Sequence, residues 1–505
     1  MTRPAKCAKT RTTACAFFVV LFLFGLDSAD AADRLVDAVK ARDKSAVHAL
    51  LNQRVDVNAR ENDGTTALHW AAYNDDSELV DLLIRSGARA KAVNRYGVTP
   101  LYSACVNGNA VIISMLLKAG ADPNAALPEG ETALMTAART GKVDAVKALL
   151  DAKADVNAKE SWRGQTALMW AAAEGHAGVV RLLVEHGADI QARSKTDYVP
   201  SEAQFRQSED QYGAFTALLF AAREGRIGAV QALLEAGADI DDSLVVLGPK
   251  GPKPDPGPNT FLLAVGSAQY ELAAWLLDKG VNPNMSPQGW TALHQISWVR
   301  KPGDVGHSAP PPAGSGNMSS FDFARALVKH GANVNAKATA RRAPAIGAGL
   351  NMVGATPFLM AARTKDAEYM RLLVELGADP LLPNNDKTTP LMVAAGIGMS
   401  VAEDGETESD LLDAVRAALE LGNDINAVDD NGETAMHGAA YKLLPSLVRY
   451  LAGNGARIEV WNRPNKKGST PLDIIIKNKA NIGSEETEAA IRELMTRAGV
   501  LPAGQ

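Results

Sequence analysis

One short phrase returns along this chain at a nearly fixed interval, and it constrains the fold more than any other feature. The phrase begins with threonine, continues with alanine or proline and then leucine, and ends with two small residues. Its first four copies begin at Thr66, Thr99, Thr132 and Thr166. A period of about 33 residues predicts one supersecondary unit per repeat, stacked on its neighbours, because a single unit cannot bury its own apolar face.

The phrase continues through the rest of the chain with less regular spacing. Seven further copies bring the number of repeats to eleven, and they begin at Thr216, Thr260, Thr291, Thr356, Thr389, Thr434 and Thr470. Residues 33–62 lack the phrase but keep the later half of a repeat. We therefore expect those residues to form an N-terminal cap.

Each repeat carries the signals of two helices. The threonine can accept a hydrogen bond at the start of the first helix, and proline or alanine suits the first helical position. Apolar residues spaced by three and four, such as Val80 and Leu83, predict one face of a second helix. A glycine such as Gly87 then ends that helix, and an Asp-x-Asn sequence, as at residues 155–157, predicts a turn towards the next repeat.

The phrase, its period and the apolar helix that follows it resemble the ankyrin repeat over residues 33–498. The resemblance implies an all-α ankyrin-repeat solenoid, with about eleven repeats of paired helices, short hairpin loops, an N-terminal cap and several inserted loops. It also implies that the chain binds a protein partner through its hairpin tips and the concave face of its first helices. Histidines within the phrase (His69, His294 and His437) are implied to hold the hairpins by hydrogen bonds.

The N-terminus has the three parts of a secretory signal peptide. A basic start (Arg3, Lys6, Lys9 and Arg11) precedes the uncharged residues 14–26, and a site rich in small residues ends at Ala31 or Ala32. The uncharged segment is shorter than the roughly 20 residues that span a bilayer as a helix, although an uncleaved anchor is the alternative. Since ankyrin-repeat proteins of eukaryotes are mostly intracellular, we expect an exported bacterial protein in the periplasm, or alternatively outside the cell.

The intervals between the phrases divide the chain into five parts. We expect a signal peptide at 1–31, a capping half-repeat at 32–63, regular repeats at 64–193, repeats with insertions at 194–431, and C-terminal repeats with a cap at 432–505. The interval from Thr291 to Thr356 is the longest, at nearly twice the ordinary period. Insertions in repeat arrays form loops, and the Pro-rich insertion at 248–258 is expected to be extended.

Large aromatic and arginine side chains occupy positions that are exposed in ankyrin repeats, or lie in the inserted loops. Such residues are typical of interface anchors. The candidate partner-binding residues are Tyr73, Tyr96, Trp162, Phe215, Arg223, Trp290, Trp298, Arg341, Arg342, Arg363 and Tyr441. The alternative is that inserted loops fold back and bury some of these rings in satellite clusters. Trp70 and Trp170 lie inside the phrase, where packing between helices is expected.

The sequence carries no signal of catalytic, cofactor or metal chemistry. It contains no zinc-protease, P-loop, dinucleotide-binding or paired CxxC motif. Its net charge of −6 gives no basic field for nucleic acid. Cys105 is the one cysteine left after signal removal, and it occupies a small-residue position of its repeat, where we expect an inert packed side chain.

These observations favour a protein that binds other proteins and is not an enzyme. We expect a monomeric scaffold or accessory protein of the bacterial envelope, with an unidentified protein partner and no membrane insertion after signal removal. One alternative is a secreted effector that binds proteins of another organism. A second alternative is an enzyme or small-ligand binder built from the inserted loops.

Overall fold

The computed structural model describes residues 33–196, 211–248, 251–301, 312–340, 350–399 and 407–500. The predicted signal peptide and the candidates Arg341 and Arg342 lie outside these described residues. The chain divides into two compact units. Unit 1 comprises the chain to Lys195 with Thr216–Ala221 and Gly228–Ala238, and unit 2 comprises Thr196–Phe215, Ala222–Ile227 and Asp239–Gln505.

Unit 1 is built from helix pairs that follow the repeat period. The cap is a complete pair and not the expected half-repeat, because residues 33–40 are also helical. The helices are α1 (33–40), α2 (Lys44–Asn52), α3 (Ala67–Tyr73), α4 (Ser77–Arg85), α5 (Pro100–Asn107), α6 (Ala110–Lys118), α7 (Ala133–Thr140), α8 (Val143–Asp151), α9 (Ala167–Glu174) and α10 (Ala177–Glu185). Most residues of α11 (Ala217–Arg223) and α12 (Ile227–Glu235) also belong to unit 1.

Unit 2 continues the helix pairs with less regular spacing. Its helices are α13 (Thr260–Gly266), α14 (Tyr270–Asp278), α15 (Ala292–Arg300), α16 (Ser320–Lys329), α17 (Pro357–Arg363), α18 (Ala367–Glu375), α19 (Pro390–Ala394), α20 (Glu408–Glu420), α21 (Ala435–Lys442), α22 (Pro445–Gly453), α23 (Ile458–Trp461), α24 (Pro471–Lys477) and α25 (Ser484–Arg497). The helix-rich architecture confirms the predicted ankyrin-repeat fold class.

A small antiparallel sheet in unit 2 is an addition to the all-α prediction. Its strands are β1 (Gln211–Gly213), β2 (Ser243–Gly248) and β3 (Gly251–Asn259), in that order. Strand β3 coincides with most of the Pro-rich insertion, which was expected to be extended. Because proline has no backbone N–H to donate, the register between β2 and β3 shifts twice.

The phrase forms the start of each first helix in the manner expected. The side chain of Thr99 accepts a hydrogen bond from the Tyr102 backbone N–H at 3.1 Å, and so caps α5. The leucine and the two alanines that follow the threonine are buried, as Leu68, Ala71 and Ala72 illustrate. Small residues at these positions let neighbouring first helices approach each other closely and share one core.

Asparagines connect several of the hairpin turns to the next repeat. The side chain of Asn58 donates to the Gly87 carbonyl at 3.0 Å and accepts from the Arg89 backbone N–H at 2.8 Å. Asn157 makes the same pair of bonds to Gly187 and Asp189. Gly87 has a φ of 90°, a left-handed conformation that ends α4 and turns its carbonyl towards Asn58. These bonds explain the Asp-x-Asn sequences physically.

The histidines of the phrase hold the hairpins, which confirms their expected role. The Thr291 backbone N–H donates to Nδ1 of His294 at 3.3 Å, and Nε2 of the same ring lies 3.0 Å from the Ala355 carbonyl. His69 and His437 make the equivalent bonds. This pattern requires a neutral ring with its proton on Nε2. Burial accordingly lowers the pKa of His294, and also that of His437, to about 4.

Acidification should therefore destabilise unit 2. The folded pKa of His294 lies below the ordinary histidine pKa of 6.5, so the unfolded chain binds more protons between those two values. We expect His294 alone to cost about 2 kcal/mol of unfolding free energy between about pH 7.5 and about pH 5. Urea unfolding across this pH range measures the loss. His294→Gln should reduce the pH dependence of the unfolding free energy. The control, His48→Gln at an exposed position, should not. The same pH dependence in both variants would contradict the prediction.

Candidate protein-interaction surface

Three of the candidate partner-binding side chains that the structure describes are exposed, and all three lie in unit 1. The exposed fractions are 56% for Tyr73, 55% for Tyr96 and 71% for Trp162. Tyr73 lies at the end of α3, while Tyr96 and Trp162 lie in the hairpins that precede α5 and α9. The prediction that these positions are exposed is confirmed, and their use in binding stays a prediction.

Arginine side chains lie over two of these rings. The Arg163 guanidinium carbon lies 4.3 Å from the Trp162 ring centroid, and that of Arg95 lies 5.0 Å from the Tyr96 centroid. An arginine over an aromatic face is attracted by the ring's negative quadrupole. Sequence reasoning identified the rings but missed these two arginines. The signal was available, because each arginine is adjacent to its aromatic residue in the sequence.

The hairpin that carries Trp162 is held by a buried carboxylate. Glu160 is 7% exposed, and its side chain accepts hydrogen bonds from the backbone N–H groups of Trp162, Arg163 and Gln165 at 2.7 to 2.9 Å. Each of these bonds is strengthened by the carboxylate charge. The tip is thereby fixed, so Trp162 is presented to solvent at little conformational cost.

Two further tryptophans lie inside the phrase of unit 1 and are half-buried, as expected for residues between helices. Trp70 donates from Nε1 to Glu61 Oε2 at 2.6 Å, and the Lys40 Nζ lies 4.9 Å from its ring centroid. Trp170 has the Arg139 guanidinium at 5.1 Å from its centroid. Its Nε1 is buried and has no hydrogen-bond partner among the described residues.

Trp290 is not at the surface, so the prediction of an exposed ring is wrong there. It is 3% exposed and belongs to a buried cluster in unit 2 that includes Leu350 and Met352. Its ring meets the edge of Trp298 with centroids 5.8 Å apart. The alternative of a satellite cluster describes this site. The physical reason is the long interval before Thr356, whose residues supply extra apolar side chains to cover the ring.

Arg363 is likewise fully buried, against the prediction of an exposed arginine. It begins a turn, residues 363–366, in which every residue is at most 4% exposed. Helix α15, the first helix of the preceding repeat, is long enough to lie against this turn. Arg300 at its end binds Asp366 with Nε to Oδ2 at 2.7 Å, and Lys301 Nζ donates to the Lys365 carbonyl at 3.2 Å.

The remaining described candidates are half-buried in unit 2. Trp298 and Tyr441 pack against the cluster around Trp290. Tyr441 also donates from its hydroxyl to Glu433 at 3.0 Å. Phe215 lies under the Arg223 guanidinium, with 5.1 Å from guanidinium carbon to ring centroid. These four side chains are partly accessible, but neighbouring groups already occupy much of their surface.

The other reactive or metal-binding side chains of the described residues do not form a second functional site. No cluster of three or more His, Cys, Asp or Glu side chains there could hold a metal ion. No helix among those residues is both long and apolar enough to cross a bilayer. Cys105 is fully buried, and burial raises the pKa of its thiol, as expected of a packed side chain.

Comparison with known families agrees with the fold. A family model described as ankyrin repeats in three copies matches residues 35–126 and 121–194. A second, described as a single ankyrin repeat, matches residues 215–243 and 353–385. Ankyrin repeats are generally protein–protein interaction modules, and proteins built from them are typically binding scaffolds without enzymatic activity. The regular repeats of unit 1 and the matching segments of unit 2 thus show that this chain contains ankyrin repeats.

Proposed function

We propose that this chain is an interaction scaffold or accessory protein of the bacterial envelope, and that unit 1 holds its principal binding surface. The observation that carries the proposal is a set of exposed aromatic rings and arginines in unit 1. We name this set, Tyr73, Tyr96 and Trp162 with Arg95 and Arg163, the aromatic surface. It combines the residue types that supply most of the binding energy at protein interfaces.

The aromatic surface suits a partner because its two arginines are exposed to solvent. Both stack on rings, and Arg95 Nη2 also donates to the Tyr96 hydroxyl at 2.9 Å. The remaining guanidinium N–H groups are available for hydrogen bonds to a partner. A solvent-exposed tryptophan such as Trp162, 71% exposed, gains the most from burial at an interface.

Removing the rings of the aromatic surface should weaken partner capture and leave the fold intact. We expect Tyr73→Ala, Tyr96→Ala and Trp162→Ala together to reduce recovery of a partner from envelope extract by at least about tenfold. Affinity capture with residues 32–505, read by quantitative mass spectrometry, measures this. The melting temperature should change little, because the three rings are largely exposed.

A matched control comes from apolar residues on second helices of unit 1. Val111 and Val143 are 57% and 41% exposed, so Val111→Ala with Val143→Ala also removes exposed apolar groups. This control should recover the same partner as the unmodified chain. Equal recovery by the triple variant, or equal loss in the control, would show that the aromatic surface is not the binding site.

The envelope location rests on the signal-peptide pattern of residues 1–31. If the pattern acts as proposed, the protein recovered from periplasmic extract begins at Ala32, or at Asp33 when cleavage follows Ala32. N-terminal sequencing of that material tests the location. Recovery of a chain beginning at Met1 in the cytoplasmic fraction would contradict it, and recovery only from culture medium would favour the secreted alternative.

A further inference from the structure

Unit 1 contains the same arrangement of tryptophan and cation twice. Trp70 and Trp170 each lie four residues after the threonine of their phrase. Lys40 and Arg139 also hold equivalent positions, since each lies two residues before a left-handed residue, Arg42 at φ 56° and Gly141 at φ 74°. Each cation lies over the tryptophan of the next repeat along the array, at 4.9 and 5.1 Å from its centroid.

In the first arrangement a carboxylate joins the two groups. Glu61 Oε2 accepts from Trp70 Nε1 at 2.6 Å, and Glu61 Oε1 lies 2.5 Å from Lys40 Nζ. One acidic side chain thus satisfies both the indole N–H and the cation. Glu61 occupies a fixed place in its hairpin, where its backbone N–H donates to the Thr65 carbonyl at 2.8 Å.

In the second arrangement the equivalent carboxylate is directed elsewhere. Glu160 has the same backbone place as Glu61, because its N–H donates to the Gln165 carbonyl at 3.1 Å. This hairpin is one residue longer, and the Glu160 carboxylate binds the backbone of its own tip. Among the described residues, Trp170 Nε1 is left without an acceptor and Arg139 forms no ion pair.

We propose that a partner protein supplies the missing group, as an Asp or Glu carboxylate that accepts from Trp170 Nε1 and pairs with Arg139. This inference rests on the proposed function and names the chemistry of the partner's anchor. Arg139 is exposed, so its side chain can be reached from solvent and can move off the ring. Trp162, on the hairpin of the same repeat, offers an apolar contact for neighbouring partner residues.

The expected effect follows from the cost of a buried, unsatisfied N–H. Such a donor destabilises its surroundings until an acceptor arrives, and hydrogen bonds to charged groups are stronger than neutral ones. A partner that loses this carboxylate should therefore bind at least about tenfold more weakly. The same loss is expected when the cation or the indole N–H is removed from this chain.

The first experiment is a selection from a random twelve-residue peptide display library on residues 32–505. We expect selected peptides to share an Asp or Glu at one position. A synthetic copy of a selected peptide, and its variant with Asn or Gln at that position, then give two dissociation constants by isothermal titration. Competition with sodium acetate and with inorganic phosphate distinguishes a peptide carboxylate from a free anion.

Two variants and one control locate the contact. Arg139→Gln and Trp170→Phe should each weaken the acidic peptide at least about tenfold, whereas Lys40→Gln, which alters the arrangement that has its own Glu61, should not. In nitrogen-15 NMR the indole N–H of Trp170 should shift when peptide is added, and that of Trp70 should not. Circular dichroism melting confirms that each variant is folded.

The outcomes separate this inference from the proposed function. Selected peptides whose acidic residue is dispensable, or that leave the Trp170 indole resonance unchanged, would overturn the carboxylate contact while the scaffold function stands. Inorganic phosphate that displaces the selected peptide at a concentration where sodium acetate does not would overturn it as well. Failure to select any peptide would count against both proposals.

Discussion

Replacing Trp290 with alanine should destabilise unit 2 by about 3–5 kcal/mol, the range typical of a buried aromatic side chain truncated to alanine. Trp290 is 3% exposed, shares a buried cluster with Leu350 and Met352, and meets the edge of Trp298. Truncation would leave a cavity among the other side chains of that buried cluster. It would also remove the ring that meets His294 at 5.6 Å.

Urea unfolding followed by circular dichroism measures this loss. The matched control is Trp162→Ala, which removes the same side chain from a position that is 71% exposed and should change stability by no more than about 0.5 kcal/mol. A similar small change for Trp290→Ala would contradict the buried placement. It would also restore Trp290 as a candidate interface anchor.

Replacing Asp366 with alanine should have an effect of similar size. Its carboxylate is 2% exposed and binds Arg300, with Nε to Oδ2 at 2.7 Å and Nη2 to Oδ1 at 3.4 Å. It also caps α18, because it accepts from the Tyr369 backbone N–H at 3.0 Å. Breaking a buried pair by removing one partner costs about 3–5 kcal/mol, because the remaining charge is left poorly solvated.

An exposed ion pair in the same unit provides the control. Asp413 contacts Arg416 at 2.8 Å with both side chains about half exposed, so Asp413→Ala should change unfolding free energy by no more than about 1 kcal/mol. Asp366→Asn should lie between the two, since it keeps the cap and loses the charge. If Asp366→Ala were no more destabilising than Asp413→Ala, the pair with Arg300 would not hold the 363–366 turn.

The fold of unit 1 could be predicted from the sequence because its period is nearly constant. With Thr66, Thr99 and Thr132 in register, each side chain has the same neighbours one repeat away, so Tyr73 and Tyr96 were correctly expected to be exposed. The complete first helix of the cap was missed, since residues 33–40 lack the phrase that marks the others.

The predictions of exposed side chains were wrong in the part of unit 2 where the repeat spacing is irregular. The exposure of Trp290 and Arg363 was inferred from positions in regular repeats, and that inference assumes a neighbour of ordinary length. The long interval from Thr291 to Thr356 replaces this neighbour with a segment that covers the ring. Strand β3 was missed for a different reason, because its prolines argue against a paired strand.

The unsatisfied indole of Trp170 is marked in the sequence only by a change of spacing. The interval from Thr132 to Thr166 is one residue longer than each of the two intervals before it. The additional residue lies in the hairpin whose backbone N–H groups bind the Glu160 carboxylate. Length alone shows that the hairpin differs, but which atoms the carboxylate binds depends on backbone geometry that periodicity does not contain.

The asparagine bonds between repeats recognise only main-chain atoms. Asn58 contacts the carbonyl of Gly87 and the N–H of Arg89, and neither bond involves a side chain of those residues. Any repeat whose second helix ends in a left-handed glycine can therefore follow it. These bonds between repeats do not depend on the side chains that the repeats expose. An ancestral gene could therefore exchange whole repeats, and with them the binding specificity, while the same bonds formed between the new neighbours.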